Sequence, residues 1–325
     1  MEVKPRLTGI VTPSAEALKR QRDIKYGRQE QESFREIFFA DTQQLVIEQQ
    51  SRGFPLISDG QRLWGDLFRP VYKGMQGVEI GSQTRWYETN GFFFPPRIVG
   101  EPAVGNGQIK DYLYNDVVPE HMQVTLAGPY SMFRMAENQA GITDQRLMDT
   151  IADQVKQVLA SLPPGVELVE FCEPSIAYDA RPGFGISEPQ RQKALELARQ
   201  AYAAIYDNYK VPIIMQLPDG DFNQLAADVL DFMVDGFGVD LTETVALDPE
   251  ISLKKMTLSA GVLNAWSSLP EDLEIAAKKT REAVAAWNPK TVYVTTNSQL
   301  FYTIPNKPAI AKIAELEELA WRLSQ

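Results

Sequence analysis

At 325 residues, with 43 acidic against 32 basic side chains and a formal charge of -11 at neutral pH, the chain is long enough to bury a large core in one α/β barrel with an insertion. The acidic balance excludes nucleic acid and anionic membrane surfaces as partners, because both require clustered Lys and Arg, and leaves a small-molecule ligand or a protein. A single cysteine, Cys172, permits no intrachain disulfide, and with a single histidine, His121, the chain is poor in soft ligands for a transition metal.

Residues 1–20 are charged and hold no apolar run, and no stretch approaches the roughly 20 apolar residues of a membrane span, so the expected location is the cytoplasm. Eight apolar runs are predicted as strands, at 8–11, 54–58, 124–127, 166–172, 211–216, 236–241, 258–264 and 291–295. Helical periodicity separates most of them, at 30–52, 145–162, 189–208, 222–233, 270–287 and 307–325. Such alternation implies a parallel sheet, and eight strands fit a (β/α)8 TIM barrel better than an open doubly wound sheet, which the count alone does not exclude. The whole chain, 1–325, reads as one domain.

In a closed barrel the turns after the strands collect on one face, where active sites sit. VPIIMQLPDGDF at 211–222 shows the pattern most clearly: the apolar run breaks at Pro218, turns through Asp219 and Gly220, and opens a helix at Asp221. The exception to regularity is 66–120, rich in Gly, Pro and aromatics, which reads as an insertion with a hairpin after the second strand. Either Phe92, Phe93 and Phe94 simply pack it down, or Trp86, Tyr87 and Asn90 reach over the barrel mouth as a lid or wall.

Polar side chains gather at the predicted strand ends. Asp59, Arg62 and Asp66 follow the second strand; Glu173 follows the fourth, with Tyr178, Asp179 and Arg181 close behind. Gln216, Asp219 and Asp221 follow the fifth, Asp240 the sixth, Asn264 and Trp266 the seventh, and Asn297 and Ser298 the eighth. Singly, these have ordinary uses: Asp59 in a turn, Glu173 at a loop start, Asp221 as a helix N-cap. As a set they would be costly to bury unless they bind something. Cys172, ending an apolar strand, reads as a small buried hydrophobe; a nucleophilic role would need an activating His, and His121 falls before the third strand, at the wrong end of the barrel.

ISDGQRLWGD at 57–66, TNGFFFPPRIVGE at 89–101, AGPYS at 127–131, EFCEPSIA at 170–177 and YVTTNSQL at 293–300, in this order and spacing, resemble the landmarks of the cobalamin-independent methionine synthase family in its short, single-barrel form. The resemblance runs from about Thr8 to the C-terminus. It implies the (β/α)8 fold shared with uroporphyrinogen decarboxylase, an insertion after the second strand, and a zinc held by His, two Cys and Glu that activates the homocysteine thiol. At the matching positions this chain carries Gln216 and Pro218 for the His-x-Cys, Asp240 for the Glu, and Thr295-Thr296-Asn297-Ser298 where the second Cys should stand. Zinc, and any other resident cofactor, is therefore not expected. The family's two ammonium-binding carboxylates match Gln61 and Cys172, and its Asp-x-His base matches Asn264-Ala265-Trp266, which makes homocysteine a poor fit.

The resulting expectation is a zinc-independent one-carbon or small-molecule transferase with another acceptor. Asp240, Glu173 and Asp59 would serve as acid or base, with Gln61, Arg62, Cys172, Gln216, Asp219, Asn264, Trp266 and Ser298 around the substrate. A folate or corrinoid methyl donor and a methyl-carrier protein partner stay open in that reading. Two others stand beside it: a carboxylate-based enzyme analogous to uroporphyrinogen decarboxylase, with Arg62 and Arg181 holding an acidic substrate, and a ligand-binding or scaffold protein without catalysis.

Overall fold

A computed structural model describes residues 2–26, 33–87, 91–107, 109–301 and 307–325. Its centre is a parallel sheet of seven strands, β1 Val3–Pro5, β2 Met122–Ala127, β3 Val166–Cys172, β4 Ile213–Leu217, β5 Gly236–Asp240, β6 Thr257–Leu263 and β7 Thr291–Thr296, in the order β1-β7-β6-β5-β4-β3-β2. Every residue of β2, β4 and β5 is buried; β4 and β5 read mainly as apolar runs for this reason, whereas β2 carries Gln123 and Thr125 into the interior. Helices α1 Ala15–Lys25, α2 Phe34–Ser51, α3 Pro129–Met135, α4 Asp144–Ala160, α5 Pro174–Ala180, α6 Glu188–Tyr206, α7 Phe222–Val229, α8 Leu273–Trp287 and α9 Lys307–Ser324 connect and cover the sheet.

Two strand expectations are corrected. The first strand lies at Val3–Pro5, and 8–11 is a buried, non-strand continuation of it. The pattern was hidden by Arg6, which is fully buried and donates to Ser259 (2.7 Å) and Gln123 (3.3 Å) while pairing with the Glu170 carboxylate. Thr8 and Thr125 (3.0 Å) complete the hydrogen bonding of Glu170, so a charged pair inside the sheet ties β1, β2, β3 and β6 together. The second correction is 54–58, where a single bridge, Ile57 to Met122, takes the place of a strand. Ile57 donates to His121 (2.7 Å) and accepts from Gln123 (3.0 Å), whereas Pro55 has no N–H to extend the ladder.

The other predicted strands match within two residues. The helix expected from residue 30 starts at Phe34, behind a Ser33–Glu36 capping box, and residues 30–32 lie outside the described part. Helices α1, α3 and α5 were not anticipated: α1 is too polar to show an apolar stripe, and α3 and α5 are single short stretches opened by Pro129 and Pro174.

The 66–120 segment does carry a hairpin. Gln76–Ile80 pairs antiparallel with Pro96–Ala103, and Thr84–Arg85 with Phe92–Phe93. Phe93 and Trp86 pack on Phe68 with ring centroids 5.5 and 5.3 Å away, which sets this segment firmly against the main body. Its Trp86, Tyr87, Phe92 and Phe94 line a cavity together with residues of the loops that follow the strands.

Candidate active site

Above the C-terminal strand ends lies this cavity, of about 820 Å³. Trp86, Tyr87, Phe92 and Phe94 from the hairpin segment line one side, Tyr178 and Phe184 follow β3, and Trp266 and Phe301 follow β6 and β7. Among the described residues, Gln83, Arg181 and Asp219 add amide and charged side chains to it. The rings form a continuous wall: Trp86 meets Tyr87 edge-on at 5.5 Å, Tyr87 lies 4.2 Å from Tyr178, and Tyr178 meets Phe184 at 5.9 Å. Tyr87 is anchored by a hydrogen bond to Ser175. Trp86 and Tyr87 thus stand where the lid or wall reading put them, and Asn90 lies outside the described residues.

Among the described residues, Asp219 is the carboxylate of this cavity. The chain breaks at Pro218 and turns at once, and Asp219 adopts the left-handed region (φ 60°), which Asp tolerates better than most residues. Its backbone N–H donates to Asp240 Oδ2 (3.1 Å), and its Oδ1 accepts the Trp266 indole N–H (3.1 Å). Arg181 donates to its carbonyl oxygen. Oδ2 takes no hydrogen bond from any described residue. Burial, helped by the Asp240 charge below and opposed by the Trp266 hydrogen bond, pushes the Asp219 carboxyl up to about 6.

Asp240 supports this arrangement from beneath. It is fully buried, and burial raises its pKa, with the donors around it opposing. Oδ1 accepts from Thr242 N (2.8 Å), Thr242 Oγ1 (2.6 Å) and Glu243 N (3.2 Å); Oδ2 accepts from Asp219 N and from Asn297 Nδ2 (3.1 Å). Asn297 in turn accepts the Ala265 N–H (2.9 Å), and Asn264 accepts the Trp266 N–H (2.8 Å). Asp240, Asn264 and Asn297 therefore fix the turns that carry Asp219 and Trp266.

The remaining candidates do not line the cavity. Both oxygens of Asp59 accept backbone N–H groups, from Gln61 and Tyr114 (2.8 Å each), and the Gln61 amide pairs twice with the Thr125 backbone (2.7 Å each) like a neighbouring strand. Glu173 is fully buried; it accepts from Tyr130 N (3.0 Å), Ser131 N (2.7 Å) and Tyr202 Oη (2.9 Å), and burial pushes it up to about 7. It braces the start of α3. Cys172 is buried, and burial pushes its thiol up, away from thiolate chemistry. Arg62 faces Asp41 at 3.8 Å, apart from the cavity. Gln216 donates to the Asn297 carbonyl (3.2 Å) and folds its Oε1 over Gly238, where a Cβ would stand only 1.6 Å from it. Ser298 is buried and its carbonyl accepts the Thr296 hydroxyl (2.7 Å). His121 is exposed at the opposite end, beside Glu167.

The sequence reading missed Gln83, Phe184 and Phe301 as lining residues. Their only sequence signal was position in the loops that follow strands or in the aromatic-rich segment. Among the described residues, no group of three or more His, Cys, Asp or Glu side chains is placed to hold a metal ion, and no helix is long and apolar enough to cross a membrane.

A curled parallel α/β sheet with an aromatic cavity over its C-terminal strand ends is the class of protein this geometry defines. The known proteins to which the chain is similar are cobalamin-independent methionine synthases, the family that the sequence motifs resemble. No family model matches the chain. It is similar to curated 5-methyltetrahydropteroyltriglutamate–homocysteine methyltransferases from Streptococcus gordonii (22% identical over 201 residues, 59% of this chain and 26% of that protein) and Caulobacter vibrioides (22% over 239 residues, 71% and 30%). The chain thus spans between a quarter and a third of the length of these relatives. Among solved structures it resembles a B12-independent methionine synthase from Shewanella sp. in complex with selenomethionine, with a TM-score of 0.75 at 13% identity, covering 99% of this chain and 98% of that one. A putative vitamin B12-independent methionine synthase from Listeria monocytogenes gives 0.74 at 14% identity, covering 100% and 98%. At these identities the structural likeness shows the fold.

Proposed function

We propose that the chain is a methionine synthase-like methyltransferase that moves a one-carbon group, without zinc, to an acceptor other than homocysteine. Its barrel would be a (β/α)8 barrel with 54–58 in the place of the eighth strand and 66–120 as the insertion over the mouth. The observation that carries the reading is Asp219: a carboxylate with one oxygen that no described residue occupies, lining an aromatic cavity at the strand ends. A carboxyl near 6 is ionised at neutral pH yet basic enough to take a proton from the acceptor, and general-base catalysis works best with a pKa near the working pH.

In this reading the acid–base role moves from Asp240, Glu173 and Asp59 to Asp219, because the oxygens of the other three are already taken by N–H and O–H donors that hold turns in place. Zinc does not fit the same positions. The donors around Asp240 present hydrogens where a cation would have to sit, Gln216 is turned into the sheet over Gly238, and Pro218 has no side-chain ligand atom. The methyl donor would be a folate or a corrinoid, free or brought by a methyl-carrier protein.

The test is to supply methyl-labelled methyltetrahydrofolate or methylcobalamin together with homocysteine or with a panel of amines and other thiols. Label should pass to one of the other acceptors, with homocysteine at the level of a buffer control. Methylation of homocysteine clearly above that control would overturn the proposal, and no transfer to any acceptor would leave a ligand-binding protein.

A further inference from the structure

We infer that the cavity takes an organic cation, and that the acceptor is an amine that leaves as a methylated ammonium. The seat is built for positive charge. Tyr87, Tyr178, Phe184 and Trp266 line the cavity, Tyr87 and Tyr178 packed on each other at 4.2 Å, and the faces of aromatic rings attract ammonium groups. Asp219 supplies the counter-charge through the oxygen that no described residue occupies.

The charged groups around Asp219 favour the same sign of ligand. Among the described residues that act most on Asp219, Asp240 and Glu243 are acidic and Arg181 is basic. Arg181 is exposed at the rim, with one guanidinium nitrogen committed to the Asp219 carbonyl, so solvent screens its charge more than that of the half-buried carboxylate. A volume of about 820 Å³ exceeds what a bare trimethylammonium head would fill and leaves room for a larger organic body against the hairpin rings Trp86, Phe92 and Phe94.

The chemistry rests on the one-carbon transfer proposed above. A protonated amine enters and gives its N–H proton to Asp219 Oδ2. The freed lone pair forms the N–CH₃ bond, while the bond from the methyl carbon to the donor breaks and its electron pair leaves with the donor. The proton then passes from Asp219 to the leaving nitrogen of a folate donor, or to solvent where the donor is a corrinoid, so the product cation is left beside an ionised carboxylate.

Binding is tested separately from turnover, by calorimetric titration with choline, with its neutral isostere 3,3-dimethylbutan-1-ol, and with benzyltrimethylammonium. Choline should bind at least tenfold more tightly than the isostere, and benzyltrimethylammonium more tightly than choline. Asp219→Asn should abolish the preference for charge, and Tyr178→Leu should weaken both cations while leaving the melting temperature of the free protein within a few degrees of the parent. Equal affinity for choline and its isostere, absence of binding by either cation, or a charge preference that survives Asp219→Asn would overturn the inference. A cation preference in a protein that transfers no methyl group would instead overturn the reading it rests on.

Discussion

Asp219→Asn is expected to lower methyl transfer by about 10²- to 10⁴-fold, the usual range for loss of a positioned general base. The substitution keeps the size of the side chain and leaves an oxygen to accept the Trp266 indole N–H, so the cavity retains its shape and only proton transfer and charge are removed. The parent should show a rate that rises as pH increases through about 6 and then levels, because the ionised form is the base; the variant should lose that limb. Stability moves the other way. The folded-state pKa of about 6 lies above the ordinary carboxyl value of roughly 4, so folding takes up a proton between the two, and the contribution of Asp219 to stability falls as pH rises across that window. The amide variant should therefore be at least as stable as the parent above pH 7, which separates a catalytic loss from an unfolded protein. A variant that folds and retains the parent's rate and pH profile would remove Asp219 from the chemistry.

The largest effect on stability is expected at Arg6. Arg6→Met would leave Glu170, 1% exposed, without its guanidinium partner, and breaking a buried pair from one side costs about 3–5 kcal/mol. Thr8 and Thr125 would still donate to the carboxylate, but neither carries charge. Arg6→Met combined with Glu170→Leu should recover most of that loss, since two apolar side chains remove the uncompensated charge together. Urea denaturation midpoints of the two variants check this: a single variant as stable as the parent, or a double variant no better than the single, would count against the pair as the tie between β1, β2, β3 and β6.

The sheet was readable where burial on both faces made continuous apolar runs, as in IIMQL at Ile213–Leu217 and GFGVD at Gly236–Asp240. It was misread at the first strand, which ends just before the buried charge of Arg6, and at 54–58, where a strand was expected and Pro55 precedes a single bridge. Of the candidate site, Asp219 and Trp266 could be placed because a strand end, Pro218 and a turn fix where their side chains emerge. Asp59, Gln61 and Glu173 sit at similar strand ends, and sequence could not show that their polar atoms are spent on backbone groups of Tyr114, Thr125 and Ser131, far away in the chain. Within the motifs that carried the resemblance, Asp59 and Gln61 of DGQ and Glu173 of EFCEP hold turns and a helix start together. The aromatic wall belongs to tertiary structure, since it draws residues from the hairpin segment and from three separate strand ends.

Metal content is the sharpest measure of a zinc-free site built around Asp219. Protein dialysed without chelator should hold far less than one zinc per chain by elemental analysis, and its methyl transfer should be unchanged by EDTA. About one zinc per chain, retained through dialysis, lost in Asp240→Ala and required for turnover, would contradict it.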